Sequence, residues 1–245
     1  MNSEPQYFLP GEDGFKGHIL DDFLALGFYR MQHLVFTTHL TCLAKDSESI
    51  PVFWLRTIIQ SITENKTAMA IRKKCAHFTV TCRKAEITDQ VEELYNQYKS
   101  HIDFSAAASC REYLHLSEFE NPYDSHMIEV RHGNILVAVG FFDKGKDSIA
   151  GILNFYHPAY KKYSLGKFLI LQKIDYARSN EIPFYYTGYI STDNSKFDYK
   201  LFPDMQAIEV YLPVEKIWVP FKFFGKEQLI EYYKKHVERT GYIQE

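Results

Sequence analysis

The segment Met127–Ser179 reads MIEVRHGNILVAVGFFDKGKDSIAGILNFYHPAYKKYSLGKFLILQKIDYARS and has the clearest secondary-structure pattern in the chain. Two apolar runs flank His132-Gly133-Asn134, an arrangement typical of a β-hairpin. A third apolar run follows at 148–156, and the apolar spacing over 164–179 predicts a long helix. The segment therefore predicts an antiparallel meander followed by a helix.

The flanking sequence adds elements on both sides of this segment. Phe184–Gly188 predicts a buried strand that returns to the sheet after the helix. The other predicted elements are helices at 18–26, 68–76, 105–116, 227–237 and after an N-cap at Thr88, strands at 28–38, 50–59 and 77–83, and a hairpin of 207–212 with 216–221. A meander, a helix and a returning strand form the core order of GNAT-type acyltransferases. By this analogy the sequence predicts an α+β fold with a mixed, mostly antiparallel central sheet flanked by helices.

The composition is that of a folded protein. Hydrophobic residues make up 46% of the 245 residues and aromatic residues 16%, which excludes a disordered, collagen-like or coiled-coil chain. The longest uncharged apolar run, 135–142, is far shorter than the roughly 20 residues of a membrane-spanning helix. Met1–Pro5 has neither the basic nor the apolar part of a secretion signal. We therefore expect a cytoplasmic protein with no membrane partner.

Neither the cysteines nor the standard catalytic motifs indicate a metal or a cofactor. Cys42, Cys75, Cys82 and Cys110 form no Cys-x-x-Cys pair, so we expect four reduced thiols and neither a metal site nor a disulfide. The sequence also lacks a Gly-x-Ser-x-Gly elbow, a His-Glu-x-x-His motif, a P-loop and a Rossmann fingerprint. No cofactor is therefore expected.

The net charge of −3 conceals two basic segments. The first, 66–84, has six basic residues and no acidic one, and the second, 158–178, has five basic residues against one acidic residue. Such segregation can create a positive surface that attracts an anionic partner. Solvated faces of two ordinary helices would give the same pattern, so the charges alone leave both interpretations open.

The loop 157–167 leads into the predicted long helix and ends in Ser164-Leu165-Gly166-Lys167, with Ser164 as the expected N-cap. Free backbone N–H groups and lysines at the start of a helix suit a phosphate or a pantetheine-like group. An ordinary capped helix with a small residue at a crossing is the alternative interpretation.

Several tyrosines and two lysines lie close together between positions 183 and 200. Tyr186 and Tyr189 lie at the end of a predicted strand, and Lys196, Tyr199 and Lys200 lie in the loop after it. Tyrosine rings can stack on unpaired bases, and lysines can hold phosphates or polarise a carbonyl. A core strand with an aromatic edge and a solvated turn would give the same pattern.

Taken together, these stretches resemble the bacterial arginyl-/leucyl-tRNA–protein transferases, which add an amino acid to protein N-termini. The resemblance is strongest, in chain order, at 135–139, 155–158, 164–166, 170–174, 186–190 and 196–200. The last of these stretches, Lys196-Phe197-Asp198-Tyr199-Lys200, resembles the family's Lys-Met-x-Tyr-Lys loop. The front half is similar to the family more loosely, at 27–30, 50–52 and 71–74.

The resemblance implies an N-terminal transferase-family region at 1–86, with a smaller α/β part, and a GNAT-like aminoacyltransferase domain at 87–245. It implies transfer of arginine or leucine from aminoacyl-tRNA to the α-amine of proteins with acidic N-terminal residues, which marks them for degradation. The roles that it implies are catalysis for Lys196, Tyr199 and Lys200, donor binding for Tyr186, Gly188, Tyr189, Ser164, Gly166 and Lys167, and acceptor binding for Arg72 and Lys73.

The implied reaction needs little covalent chemistry from the protein. The ester is already activated and an α-amine has a pKa of about 7.7–8.0, so positioning, charge stabilisation and a proton for the leaving ribose oxygen are the main requirements. Lys196 and Lys200 would lie against the carbonyl or terminal phosphates of the donor, with Tyr199 orienting them. Two other functions stay open at this point: an acetyl-CoA-dependent N-acetyltransferase, and a non-catalytic relative that binds N-terminal degradation signals or RNA.

Overall fold

The computed structural model describes residues 6–42, 49–102, 106–114 and 121–237. The helices in these ranges are α1 His18–Ala25, α2 Lys66–Cys75, α3 Asp89–Lys99, α4 Cys110–Leu114, α5 Leu165–Ser179 and α6 Lys226–Tyr232. The strands are β1 Gln6–Phe8, β2 Tyr29–Met31, β3 Leu34–Thr37, β4 Leu40–Thr41, β5 Ile50–Ile58, β6 Thr79–Lys84, β7 Ser125–His132, β8 Ile135–Lys144, β9 Ser148–Tyr156, β10 Phe184–Ser191, β11 Ile208–Leu212 and β12 Ile217–Pro220.

One large sheet organises the molecule. Eight of its nine strands follow the order β12-β11-β5-β10-β9-β8-β7-β6, and β4 pairs with the start of β5. All neighbours in this sheet are antiparallel except β9 and β10. A separate three-stranded sheet has the order β1-β3-β2. The predicted α+β class with a mostly antiparallel sheet flanked by helices is therefore confirmed.

Strands from both ends of the chain share this sheet. β5, from the first 86 residues, lies between β10 and β11, and β6 forms the opposite edge beside β7. The boundary expected after residue 86 thus runs through a continuous hydrogen-bonded sheet, because the N-terminal third supplies one central and one edge strand.

The meander β7–β9 is buried on both faces because side chains alternate along each strand. Met127 and Phe141 pack with α3 and α4, whereas Ile128 and Phe142 pack with α2 and α5. Two apolar layers of this kind hold the helices against the sheet, and they fix where α3 and α5 stand relative to β9.

β9 and β10 separate after a short pairing. Their parallel ladder covers only Ser148–Ala150 with Phe184–Tyr186, although each strand continues beside its other neighbour. A register shift leaves Ile152 as an extra residue in β9, and another leaves Thr187 as an extra residue in β10. Such bulges bend a strand locally, so the two strands form the sides of a wedge.

Three predicted elements differ from the structure. The single strand expected at 28–38 is the hairpin of β2 and β3, which turns at Gln32 with a positive φ of 57°. Ser164 is the N-cap residue of α5, as predicted, but its backbone is left-handed and its side chain makes no capping hydrogen bond. The helix expected at 105–116 covers 110–114, and positions 105 and 115–116 lie outside the described residues.

Candidate active site

A cavity of about 670 Å³ opens in the wedge between β9 and β10. It is bounded by Gly151–Asn154 of β9, by Tyr185 and 187–189 of β10, and by Ile170 of α5. None of its described lining residues is acidic. Ten of them are aromatic, namely Tyr29, Phe36, Trp54, Tyr95, Tyr98, Tyr113, Tyr185, Tyr189, Phe197 and Tyr199. Such a cavity suits a ligand that has a flat ring and no net positive charge.

Among the described residues that line this pocket, Lys200 is the cation without a carboxylate partner. It lies in the 3₁₀ segment Ser195–Leu201, and its Nζ donates a hydrogen bond of 2.8 Å to the carbonyl oxygen of Tyr189. Nζ also lies 4.6 Å from the ring centroid of Tyr189 and 5.1 Å from that of Phe197. No carboxylate of the described chain lies within 4.0 Å of it. Burial lowers the pKa of Lys200 to about 7, so its amine can gain or lose a proton at neutral pH.

Gly188 provides the space that Lys200 occupies. Its φ of +96° is unfavourable for other residues, and a Cβ atom built on it would lie 3.0 Å from the Nζ of Lys200. This glycine directly follows the bulge residue Thr187. The position of Lys200 therefore depends on the backbone conformation at the bulge.

Arg30 is the other cation among the described lining residues, and its charge is already matched. Its Nη1 lies 2.8 Å from Asp143 Oδ1 and 3.0 Å from Ser125 Oγ, and its guanidinium stacks on the ring of Tyr123. Both partners of the ion pair are almost completely buried. Arg30 is thus bound to the interior of the protein rather than available to a substrate.

Lys173 and Asn154 form a second polar contact at the edge of the pocket. Lys173 is 0% exposed, and its Nζ donates to the Phe141 carbonyl oxygen at 2.7 Å and to Asn154 Oδ1 at 2.8 Å. Burial lowers the pKa of Lys173 to about 7, while the more distant Asp143 raises it. From the sequence, Lys173 was counted only as one of the basic residues of segment 158–178. Its spacing from the buried Leu169 and Ala177, four residues away on either side, was the signal that could have identified it as an interior residue.

Of the six predicted site residues between positions 186 and 200, four line the pocket and two do not. Gly188, Tyr189, Tyr199 and Lys200 line it, and Tyr199 is 48% exposed at its mouth. Tyr186 lies outside, because its ring packs against Trp218 at 5.5 Å, and Lys196 is an exposed residue that does not line the cavity.

Ser164, Gly166 and Lys167 border the pocket without lining it. They stand at the start of α5, one turn before Ile170, which does line it. The Nζ of Lys167 lies 5.3 Å from the ring centroid of Phe202, which follows the segment that holds Lys200. The predicted helix-start site is therefore a neighbour of the pocket.

The predicted acceptor-binding pair lies elsewhere. Arg72 of α2 makes hydrogen bonds of 2.6–3.1 Å to both carboxylate oxygens of Glu64 and of 2.6 and 2.8 Å to Asp175. Hydrogen bonding from Arg72 lowers the pKa of Glu64, as expected for a well-formed ion pair. Lys73 is exposed on the same helix, and neither residue lines the pocket.

The two basic segments of the sequence meet on one surface. Lys74 of α2 donates a hydrogen bond to the Lys162 carbonyl oxygen, and the ammonium groups of both residues lie over the Tyr163 ring. We call four exposed lysines of these two segments, Lys73, Lys74, Lys161 and Lys162, the basic face. No acidic side chain in the described part of the chain lies within 4.0 Å of these four ammonium groups.

Other groups of possible ligands are already engaged. Among the described residues, His18, Asp21 and Asp147 lie close enough to share an ion, but the Asp21 carboxylate accepts hydrogen bonds from the backbone N–H groups of Lys146 and Asp147 and from Ser148. All four cysteines are free thiols, of which Cys42 and Cys82 are exposed. None of the described helices is long and apolar enough to cross a membrane.

Comparison with solved structures gives only distant similarity. FemX has a TM-score of 0.47 and 12% sequence identity over 72% of this chain and 61% of its own chain. L-PGS from Bacillus licheniformis has a TM-score of 0.41 and 9% identity over 71% of this chain, which spans half of the L-PGS chain.

Comparison with known sequences is more specific. The family model for the C terminus of arginine-tRNA-protein transferase matches residues 90–208. An aspartate/glutamate leucyltransferase of Paracoccus denitrificans (strain Pd 1222) is 30% identical over 76% of this chain and 68% of the relative. Another, of Pseudomonas fluorescens (strain SBW25), is 26% identical over 86% of this chain and 87% of the relative. With these similarities across most of both sequences, the chain belongs to the aminoacyl-tRNA–protein transferase family.

Proposed function

We propose that this aminoacyl-tRNA–protein transferase moves leucine from leucyl-tRNA to the α-amine of polypeptides that begin with aspartate or glutamate. The observation that carries the proposal is the Lys200 amine, which lies in an aromatic pocket, has no carboxylate partner among the described residues and has a pKa of about 7. The relatives' names, aspartate/glutamate leucyltransferase, support the substrates.

The pocket favours leucine over arginine as the donor amino acid. A guanidinium group in a partly buried site needs carboxylates to compensate for lost hydration. No described lining residue is acidic, whereas Trp54, Ile152 and Ile170 offer apolar surface. An uncharged aliphatic side chain therefore fits this lining better than a cationic one.

The aromatic lining supports binding of the terminal adenosine of the tRNA. Base–aromatic stacking contributes about 1–3 kcal/mol per base and needs an accessible ring face. Tyr199 is half-exposed at the mouth, and Tyr189 lies beside it next to Lys200. We assign these two rings to the adenosine.

The basic face supports binding of the acceptor stem. Double-stranded RNA is held largely through its phosphates, which attract lysines that have no acidic neighbours. Lys167 links this face to the pocket because it lies one turn from Ile170, and Ser164 and Gly166 leave the start of α5 open to a phosphate.

Lys200 supports the proton transfers of the reaction. The neutral α-amine of the acceptor attacks the ester carbonyl carbon, and the neutral Lys200 amine accepts a proton from the attacking nitrogen. The C–N bond forms, the bond to the ribose oxygen breaks, and the leaving oxygen takes that proton from the Lys200 ammonium group. The acceptor nitrogen thus loses one proton, which passes through Lys200 to the ribose. A pKa near 7 suits both halves of this exchange.

The fold and location fit this assignment. Separation of two parallel neighbours in an otherwise antiparallel sheet supports a GNAT-like arrangement, with the donor between β9 and β10. Aminoacyl-tRNA is found where translation takes place, so the proposed donor implies a cytoplasmic location.

A transfer assay tests the proposal. Purified protein is incubated with labelled leucyl-tRNA or arginyl-tRNA and with peptides that begin with Asp, Glu or Ala. We expect leucine on the Asp and Glu peptides only. Transfer of arginine would overturn the donor assignment, and acetylation from acetyl-CoA with no transfer from either tRNA would support the N-acetyltransferase. Binding of leucyl-tRNA without transfer would support the non-catalytic relative.

A further inference from the structure

We propose that Asn154 is a catalytic residue that donates a hydrogen bond to the acyl carbonyl oxygen of the donor, and that the buried Lys173 is a positioning residue that holds the Asn154 amide in that orientation. The inference rests on the proposed function. It assigns to the pocket a fixed neutral donor on β9, across the wedge from Lys200 on the other wall.

The contact with Lys173 determines which way the Asn154 amide points. The Lys173 Nζ donates to Asn154 Oδ1 at 2.8 Å, which both the charged and the neutral amine can do, so the amide oxygen faces Lys173. The amide nitrogen then points away from Lys173. It has no hydrogen-bond partner among the described residues, and Asn154 lines the pocket. Two N–H bonds are therefore available to a ligand there.

Lys173 has no evident structural reason to be a lysine. It is fully buried, and its partners within hydrogen-bond distance are two neutral oxygens rather than a carboxylate. Burial of an amine in this way opposes folding, and an apolar side chain of similar length would fill the same space. What a methionine could not supply is the donor that fixes the Asn154 oxygen.

Gly140 leaves room for this pair. It lies opposite Asn154 in the register of β8 and β9, and a Cβ atom on it would be 2.7 Å from Asn154 Oδ1 and 3.3 Å from Lys173 Cε. Absence of a side chain at position 140 is therefore required for the observed position of the amide.

The chemistry fits a donor whose effect appears in the transition state. As the acceptor amine attacks, the carbonyl carbon becomes tetrahedral and negative charge grows on its oxygen. A preorganised donor stabilises that oxygen more than the ground-state carbonyl, and loss of one such donor typically lowers kcat by about 100- to 1,000-fold. Asn154 moves no proton, so the proton balance assigned to Lys200 is unchanged.

The test compares Asn154→Ala, Asn154→Asp, Lys173→Met and the double variant Asn154→Ala/Lys173→Met, with Asn180→Ala on the exposed end of α5 as the control. Leucine transfer is measured as kcat and KM for leucyl-tRNA. Binding of 3′-leucylamino-3′-deoxyadenosine reports the ground state, and thermal unfolding reports the fold.

We expect both Asn154 variants to lose about 100-fold in kcat with KM and analogue binding changed less than about threefold. An aspartate at position 154 keeps the contact with Lys173 but cannot donate a hydrogen bond to the acyl carbonyl oxygen. Asn154→Asp therefore separates the loss of the hydrogen-bond donor from a loss of packing. Lys173→Met is expected to unfold at the same or a higher temperature and yet to lose about 10-fold in kcat, with no further loss in the Asn154→Ala background. Asn180→Ala should match the wild type.

Four results overturn the inference. Wild-type rates in both Asn154 variants would exclude Asn154 as a hydrogen-bond donor in catalysis. An undiminished effect of Lys173→Met in the Asn154→Ala background would exclude a positioning role for Lys173. Loss of analogue binding in proportion to kcat would show that Asn154 only binds the donor. If the wild type itself transfers no leucine, the proposed function fails and this inference fails with it.

Discussion

Lys200 and Arg72 show how differently two basic side chains can be used in one molecule. Arg72, at the junction of α2 and α5, is held by Glu64 and Asp175 through five hydrogen bonds. Lys200 faces the aromatic pocket and contacts one carbonyl oxygen and the faces of aromatic rings. The first cation is neutralised by its neighbours and stabilises packing, whereas the second has no carboxylate partner among the described residues. Availability of a cation thus depends on carboxylates that come from distant parts of the chain.

Replacement of Lys200 should have the largest effect. Lys200→Met keeps the length and removes the amine, and we expect leucine transfer to fall by about 100- to 1,000-fold, because both proton transfers lose their carrier. The variant should unfold at the same or a higher temperature, since a buried amine without a carboxylate opposes folding. Single-turnover rates with leucyl-tRNA measure the first effect and circular dichroism the second. Transfer at the wild-type rate would remove Lys200 from the mechanism.

The pH dependence of the rate should follow the same group. With a pKa of about 7, the neutral fraction of Lys200 rises about tenfold between pH 6 and pH 8, and the rate should rise with it. The acceptor amine titrates in the same direction at about 7.7–8.0, so Lys200→Met should keep only that later rise. The ratio of wild-type to variant rates is therefore expected to increase up to about pH 8 and then level off. A constant ratio would contradict the assigned role.

Gly188→Ala should disturb the pocket by displacing the Lys200 side chain. The added methyl group meets the Lys200 Nζ at 3.0 Å and the backbone φ of +96° strains any residue with a Cβ. We expect a stability loss of about 1–2 kcal/mol and a rate loss of about tenfold. Gly133→Ala on the β7–β8 turn is the control, because its φ of +58° is also positive but its Cβ meets nothing. An equal rate loss in both variants would point to backbone strain alone.

Charge reversal on the basic face should have a moderate effect on donor binding. Lys74→Glu combined with Lys162→Glu is expected to raise KM for leucyl-tRNA about 5- to 10-fold at low salt and to reduce the salt dependence of KM, because fewer counterions are released. The kcat should stay within twofold. Reversal of two lysines outside this face, Lys216 and Lys222, provides the control. Equal effects of the two pairs would show that net charge matters more than location.

Arg72→Met should have the smallest effect on activity and should act on the fold instead. We expect the folded enzyme to keep its kcat, and the free energy of unfolding to fall by about 1 kcal/mol at pH 7, because Arg72 is partly exposed. The Glu64 pKa is lowered in the folded state, so this stabilisation is present at neutral pH and is lost as the pH falls through that pKa. Denaturant midpoints at pH 7 and pH 4 measure it. Loss of activity in a fully folded variant would instead support the predicted role of Arg72 in acceptor binding.

The fold was largely predictable because it depends on local patterns. Alternation and turn residues in 127–156 predicted the meander, and Thr88 caps α3 through the Val91 N–H as expected. Ser164 stands at the predicted N-cap position, but its left-handed backbone, which follows the preceding 3₁₀ turn, was not predictable because that turn leaves no periodic trace in the sequence.

The candidate site was less predictable. The Tyr199–Lys200 end of the loop could be found from its motif, but not the aromatic wall formed by β2, β5 and α3, since those side chains meet only through the sheet order. Lys173 was counted only as part of a basic segment, and Arg72 was expected to bind the acceptor. Their true settings depend on the partners Asn154 and Asp175, which reach them across packed elements.

The position of β5 limits how this enzyme can be dissected. The portion matched by the family model, 90–208, contains both sides of the wedge, but β10 is held from its far side by β5, and Trp54 of β5 supplies part of the aromatic wall. A fragment that starts near residue 90 would leave an open sheet edge beside the site and one side of the pocket missing. Minimal versions for engineering must therefore retain the N-terminal third, either covalently or as a complementing peptide that contains β5.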